Sequence, residues 1–256
     1  MNEMKDFVPL YDDIGRAKVS APLWKLVLLG ILAGFLIGCG ALISAVGSFG
    51  VTDPGLAKVV AGLLFPAGLI MVVLTGAELF TGNCLLASPL LRGVVTSAQC
   101  LRNLAPVYLG NCIGGALLAA LCVYSGVYSL GNGALAAAAV ATANAKAGLA
   151  FGPALVKGFL CNILVCAAVM FAIRAETLPG KALGAYLPVA VFVIAGFEHS
   201  IANTYYIPLG MLLGAPIGLG GLLRNLIPVT LGNLAGGAAF AALMAVCYSG
   251  SRPSQR

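Results

Sequence analysis

"GAELFTGN" (Gly76–Asn83) and "GFEHSIAN" (Gly196–Asn203) share one frame, Gly-x-Glu-x-x-x-x-Asn, 120 residues apart in a chain of 256. Both sit in strongly apolar surroundings, and the second contains the chain's only histidine, His199. Polar groups there must be matched, because burying an unpaired charge costs many kcal/mol. Hydrophobic residues make up 61% of the chain and charged residues 9%, with a mean hydropathy of +1.03. A soluble domain carries about 25% charged residues. The surplus apolar surface must face lipid. With no β-barrel alternation visible, an all-α integral membrane protein is predicted.

The uncharged runs predict six spans, over 26–52, 59–91 interrupted at Glu78, the first half of 103–145, 158–173, 182–208 through Glu198, and 225–251. Each is long enough, alone or with its flanks, to cross a ~30 Å hydrocarbon core. "SGVYSLGNG" (Ser125–Gly133) reads as a turn. With six spans, both termini and the 2–3 and 4–5 loops share one side. That side receives ten of the fourteen lysines and arginines, leaving Lys58, Lys146, Lys157 and Arg224 opposite. The positive-inside rule then makes both termini cytoplasmic and explains the net charge of +6 as topological, with no nucleic-acid partner implied. No cleavable leader is expected, since the first apolar run is too long for one. The eight cysteines have no paired metal-ligand spacing and read as small packing residues.

A second repeat supports duplication. "LRNLAPVYLGNCIGG" (Leu101–Gly115) and "LRNLIPVTLGNLAGG" (Leu223–Gly237) agree at eleven of fifteen positions with an offset of 122. The expected organisation is a single transmembrane domain, 1–256. It has an N-terminal segment (1–22), a first repeat (23–125), a connecting loop (126–151), a second repeat (152–248) and a tail (249–256). A three-span unit re-enters the membrane inverted, and inverted repeats are characteristic of transporters and channels, with the site near the midplane.

The candidate residues follow from the breaks. Glu78 and Glu198, with Asn83 and Asn203, read as groups that hold the interrupted helices 2 and 5 open, the carboxylates accepting from freed amides; direct substrate contact is the other reading. Asn111 and Asn233 read either as helix-bridging groups or as pathway residues. His199 is an ionisable group inside a span, where function is the default. Thr81 either back-bonds to its own helix or faces His199. Lys146 is either a solvated loop lysine or a cation that concentrates anions at a pore mouth. Arg102 and Arg224 read as snorkelling residues at helix starts. No nucleotide loop, metal cluster or catalytic triad is evident, so neither an enzyme nor an energised pump is expected.

"GAELFTGN", "CNILVCAAV", "GFEHSIAN" and "NLIPVTLGNLAGG", in this order on six spans, resemble the formate/nitrite transporter family from about Pro22 to Tyr248. The tail of the first motif, "TGN" here, is where formate channels can differ. The resemblance implies a homopentamer of aquaporin-like protomers in the cell (inner) membrane, each with its own pore, although the paired Asn-Pro-Ala signature of water channels is missing. It places the pore histidine at His199, its hydrogen-bonded threonine at Thr81, the vestibule lysine at Lys146 and a loop-stabilising asparagine at Asn233. It also implies an outer constriction of Phe65 and Phe192 and an inner one of Leu69, Phe80 and Val165. No cofactor is implied. The expected cargo is a small monovalent weak-acid anion, formate first and nitrite or hydrosulfide next, protonated near His199 so that it crosses the dry constrictions neutral. The competing readings are a pore for neutral solutes such as water, glycerol or ammonia, and a non-conducting scaffold.

Overall fold

The computed structural model describes residues 4–248, and among them the chain is helix and connecting turns throughout. The helices are α1 (Met4–Ser20), α2 (Leu23–Ser48), α3 (Pro54–Leu64), α4 (Ala67–Thr75), α5 (Phe80–Asn83), α6 (Ala87–Leu91) and α7 (Ser97–Tyr124), then α8 (Ala134–Ala147), α9 (Phe151–Arg174), α10 (Leu178–Ile194), α11 (Ser200–Leu212) and α12 (Leu219–Tyr248). Their starts are chemically marked. Asp53 accepts from the Leu56 amide to open α3, and Thr96 forms a capping box with Gln99 to open α7. Large apolar side chains such as Trp24, Leu28, Leu109, Leu183 and Val246 remain exposed along the helices, which suits a lipid or subunit surroundings.

Five apolar helical stretches are long enough to cross a membrane: Leu23–Ser48, Pro54–Thr75, Ser97–Tyr124, Phe151–Arg174 and Leu219–Tyr248. The run expected to cross from 182 to 208 is divided into α10 and α11, and α10 has only 17 residues. Both breaks begin the same way. Gly76 and Gly196 lie at φ +69° and +70°, a left-handed conformation that ends α4 and leads out of α10. An L-residue with a Cβ would be strained at either position.

Helices α2 and α7 pack closely, as do α9 and α12. A methyl added at Gly114 would overlap the Ile31 carbonyl, and one at Gly236 would overlap that of Phe159. The glycines of the repeated "LGNxxGG" therefore let backbones touch, the usual membrane device where lipid offers no hydrophobic drive.

The expected N-terminal segment contains α1, whose Phe7, Val8 and Tyr11 are buried in the main core. The expected connecting loop 126–151 holds the 14-residue helix α8, because its alanine-rich run favours helix once packed on α11. Arg102, exposed near the start of α7, donates to the Val19 and Ala21 carbonyls at 2.7 and 3.1 Å, satisfying the end of α1. Arg224 is exposed on α12. The expected tail 249–256, with Arg252 and Arg256, lies outside the described residues.

Candidate functional site

Two hydrogen-bonded clamps, built from corresponding residues of the two copies, hold the breaks. In the first, Lys18 Nζ donates to both Glu78 oxygens at 2.8 Å and to Asn83 Oδ1 at 3.0 Å. Asn83 Nδ2 donates to Glu78 and to Asn103 Oδ1, and Asn103 Nδ2 returns to the Lys18 carbonyl at 3.0 Å. In the second, Lys146 Nζ donates to both Glu198 oxygens at 3.0 Å. Asn203 Nδ2 bonds Glu198 and Asn225 Oδ1, and Asn225 Nδ2 bonds the Lys146 carbonyl at 2.8 Å. One contact differs between the copies. Asn203 Oδ1 is buried without a partner, and the Lys146 ammonium lies 5.2 Å from the centre of the Tyr206 ring.

The amides freed by the breaks are satisfied by other residues. Asn111 Oδ1 accepts from the Phe80 amide at 2.9 Å, while its Nδ2 donates to the Gly30 and Glu78 carbonyls. Asn233 repeats this with the Ser200 amide at 2.8 Å and the Gly158 and Glu198 carbonyls. The glutamates were expected to accept from freed amides, but their carboxylates take lysine and asparagine donors. A planar carboxamide can accept and donate at once and so bridge a bend; a carboxylate offers acceptors only. Charge pairing also offsets the cost of burying Glu78 and Glu198, which are 8% and 6% exposed.

Between the clamps runs a passage. On the Lys146 side a cavity of about 240 Å3 is lined by Ser44, Ala61, Phe65, Lys146, Phe192 and His199, among others. On the Lys18 side a cavity of about 190 Å3 is lined by Tyr11, Lys18, Leu69, Val72, Leu79 and neighbours. The two share no lining residue. Between them Ile37, Phe65, Leu69, Val165, Val189, Phe192 and His199 close a neck with no room for a water molecule. The stripe Ala61, Phe65, Leu69, Val72 and Gly76, at helical spacing along α3 and α4, passes in order from the first cavity through the neck to the second. The rings of Phe65 and Phe192 meet edge to face at 5.8 Å, and Phe192 stacks on the His199 ring at 5.9 Å.

His199 joins the two breaks. Its Nε2 lies 3.0 Å from Thr81 Oγ1, and its Nδ1 accepts from the Ala202 amide at 3.1 Å. Because Nδ1 is an acceptor here, the ring proton of a neutral imidazole resides on Nε2 and is donated to Thr81. Thr81 is fully buried, and its carbonyl accepts from Asn162 Nδ2 and Cys166 Sγ.

Of the residues singled out in the sequence, Phe65, Phe192, Leu69, Val165 and His199 are brought together at the neck. Phe80 is not among the residues lining the neck or either cavity. Its ring packs edge-on against Tyr108 at 4.9 Å, and Leu79 lines the cavity instead. Lys146 stands on a helix, one carboxylate away from the break, not in a solvated loop.

A family model described as formate/nitrite transporter matches residues 5–247. The chain belongs to the formate/nitrite transporter family. Within that family it is 36% identical over 249 residues to a probable formate transporter of Methanothermobacter thermautotrophicus, covering 90% of this chain and 91% of that one. It is 36% identical over 247 residues to the formate channel FocA of Escherichia coli K12, covering 88% and 87%. Among solved structures it is similar to a pentameric formate channel with formate bound, with a TM-score of 0.79, 33% identity and coverage of 88% and 96%. A further similar structure, an FNT family ion channel, has a TM-score of 0.82, 29% identity and coverage of 97% and 98%.

This member of the formate/nitrite transporter family also uses residues that sequence reasoning passed over. Lys18, Asn103 and Asn225 complete the clamps, and Asn162 bonds the carbonyls of both Thr81 and Asn233, tying one copy to the other. Asn103 and Asn225 lay in plain view inside the repeated "LRN". The signal for Lys18 was weaker, a lysine placed 128 residues before Lys146. Asn162 stands in the quoted "CNILVCAAV", but its partners are known only after α9 is folded against α5 and α12.

Proposed function

We propose that the chain is a membrane channel or proton-linked transporter for small monovalent weak-acid anions, formate first, with nitrite and hydrosulfide as further cargo. In this reading it works as a homopentamer in the cell (inner) membrane, both termini cytoplasmic. Each protomer has six spans in two inverted three-helix repeats, broken in the second and fifth. The observation that carries the reading is the closed apolar neck lined by His199, which bonds the buried Thr81, with a cavity beyond each end that reaches Lys146 on one side and Lys18 on the other.

Desolvating a bare anion in such a neck costs tens of kcal/mol in an apolar medium, whereas a small neutral acid meets no comparable penalty. The path from Phe65 to Leu69 is four helical residues, about 6 Å. Lys146 directs two charge-assisted bonds at Glu198, and because an ammonium has three donors, one N–H is left to offer an arriving anion. The anion takes a proton from the water of the Lys146-side cavity or, through that water, from His199, which water then reprotonates; it crosses the neck as the neutral acid and gives the proton back to water in the cavity beyond. His199 and Thr81 supply hydrogen bonds at the entrance to the dry stretch, where water ends. Glu78, Glu198, Asn83, Asn203 and Asn233 hold the breaks that put these groups there.

The test is flux in liposomes holding the purified protein, with formate, nitrite, hydrosulfide and glycerol offered separately. Rapid uptake of the weak-acid anions with glycerol excluded is expected. Glycerol passage without formate passage would overturn the reading in favour of a neutral-solute pore.

A further inference from the structure

We infer that Lys58 is the anion-collecting residue of the Lys146-side cavity, and this rests on the proposed anion transport. The cation within the cavity wall, Lys146, is held against both oxygens of Glu198 at 3.0 Å, so the pair contributes a hydrogen-bond donor but no net charge. Lys18 is compensated in the same way by Glu78 in the other copy. A lysine–glutamate pair present in both copies at the same place belongs to the scaffold that holds the breaks.

Lys58 has no such partner. Among the described residues no carboxylate forms an ion pair with it. It lies on α3 seven residues before Phe65, and seven residues are close to two helical turns, so Lys58, Ala61 and Phe65 share one face. Ala61 and Phe65 line the cavity, and Lys58 continues their stripe about 10 Å above the Phe65 constriction. Its ammonium reaches the rim. Nζ lies 3.7 Å from the point a Cβ would occupy on Gly196, itself a lining residue at the start of the second break.

The other charges on the elements that line this cavity do not cancel it. Asp53 keeps its charge but lies at the start of α3, five residues and about 7.5 Å along the axis farther from the neck than Lys58, and it is not among the residues lining the cavity. Lys25 and Lys181 lie at the ends of α2 and α10 remote from the cavity. The position corresponding to Lys58 in the other copy, 120 residues on, is Leu178, so this charge distinguishes one mouth of the passage from the other. An uncompensated cation at the mouth of a low-dielectric cleft raises the local anion concentration and the capture rate without altering passage through the neck.

The experiment is formate uptake into liposomes by the wild-type protein, Lys58→Gln and Lys58→Arg, each measured from about 10 mM to 1 M of an impermeant salt. Lys58→Gln is expected to raise the half-saturating formate concentration about threefold to tenfold at low salt, with the same maximal flux. That difference should vanish near 1 M, where the screening length is about 3 Å, and Lys58→Arg should follow wild type throughout. An unchanged half-saturating concentration in Lys58→Gln at low salt would overturn the inference. A fall in maximal flux persisting at 1 M salt would overturn it too, by marking a structural role. Failure of wild type itself to pass formate would instead refute the anion-transport reading on which it rests.

Discussion

Thr81 Oγ1 and His199 Nε2, 118 residues apart in the chain, meet at 3.0 Å and join the two helix breaks. Neither residue has a like partner at the matching position of the other copy: Ile201 corresponds to Thr81, and Leu79 to His199. The polar contact therefore arises where the repeat is broken.

Thr81→Val removes the acceptor for the imidazole N–H and leaves that donor buried and unpaired, at a cost of about 1–3 kcal/mol. The variant should unfold at lower temperature in detergent and lose formate flux, and Thr81→Ser should restore both. A wild-type melting point for Thr81→Val would refute the assigned contact.

For a weak acid above its pKa, the neutral fraction grows about tenfold for each unit by which pH falls. Wild-type formate flux at fixed total formate should rise steeply on acidification. His199→Phe should blunt that rise, because the hydrogen bonds beside the neck are lost. Flux measured across a pH series checks this, and superimposable profiles would remove His199 from the proton pathway.

Lys146→Met strands the Glu198 carboxylate in a largely buried position, which costs about 3 kcal/mol. Lys18→Met does the same to Glu78. Each should lower thermal stability, and pairing either change with Glu→Gln at its partner should recover much of the loss. Denaturation of the single and double variants forms a thermodynamic cycle that checks the coupling.

Gly76→Ala meets no neighbouring atom within 4 Å, so its cost is the left-handed backbone alone, about 1–2 kcal/mol. Gly196→Ala should behave alike, since only the Lys58 ammonium comes near. Matched losses of stability in the two variants are expected from thermal unfolding.

Phe65→Ala takes one ring out of the edge-to-face pair with Phe192 at the neck. Water then has room to enter, so selectivity for the neutral acid should fall. Liposome assays should show glycerol or anion conductance absent from wild type; unchanged exclusion would move the barrier elsewhere.

The membrane class, the duplication and the location of the breaks were legible in the residues alone. Those rest on local quantities: runs of uncharged residues too long and apolar for water, and polar words repeated at offsets of 120 and 122. The sequence also brought His199, Phe65, Phe192, Leu69 and Val165 into view, through resemblance for most of them. The partners emerge only from the packed fold. That Asn111 and Asn233 bridge the breaks, that Lys146 is neutralised by Glu198, and that Phe80 turns toward Tyr108 while Leu79 lines the cavity depend on contacts between distant helices. Within a span every side chain is surrounded on all sides, and hydropathy cannot distinguish a wall facing lipid from one facing another helix. The direction each polar group takes is set by which unsatisfied backbone group lies within reach, and that is known only once the helices have packed.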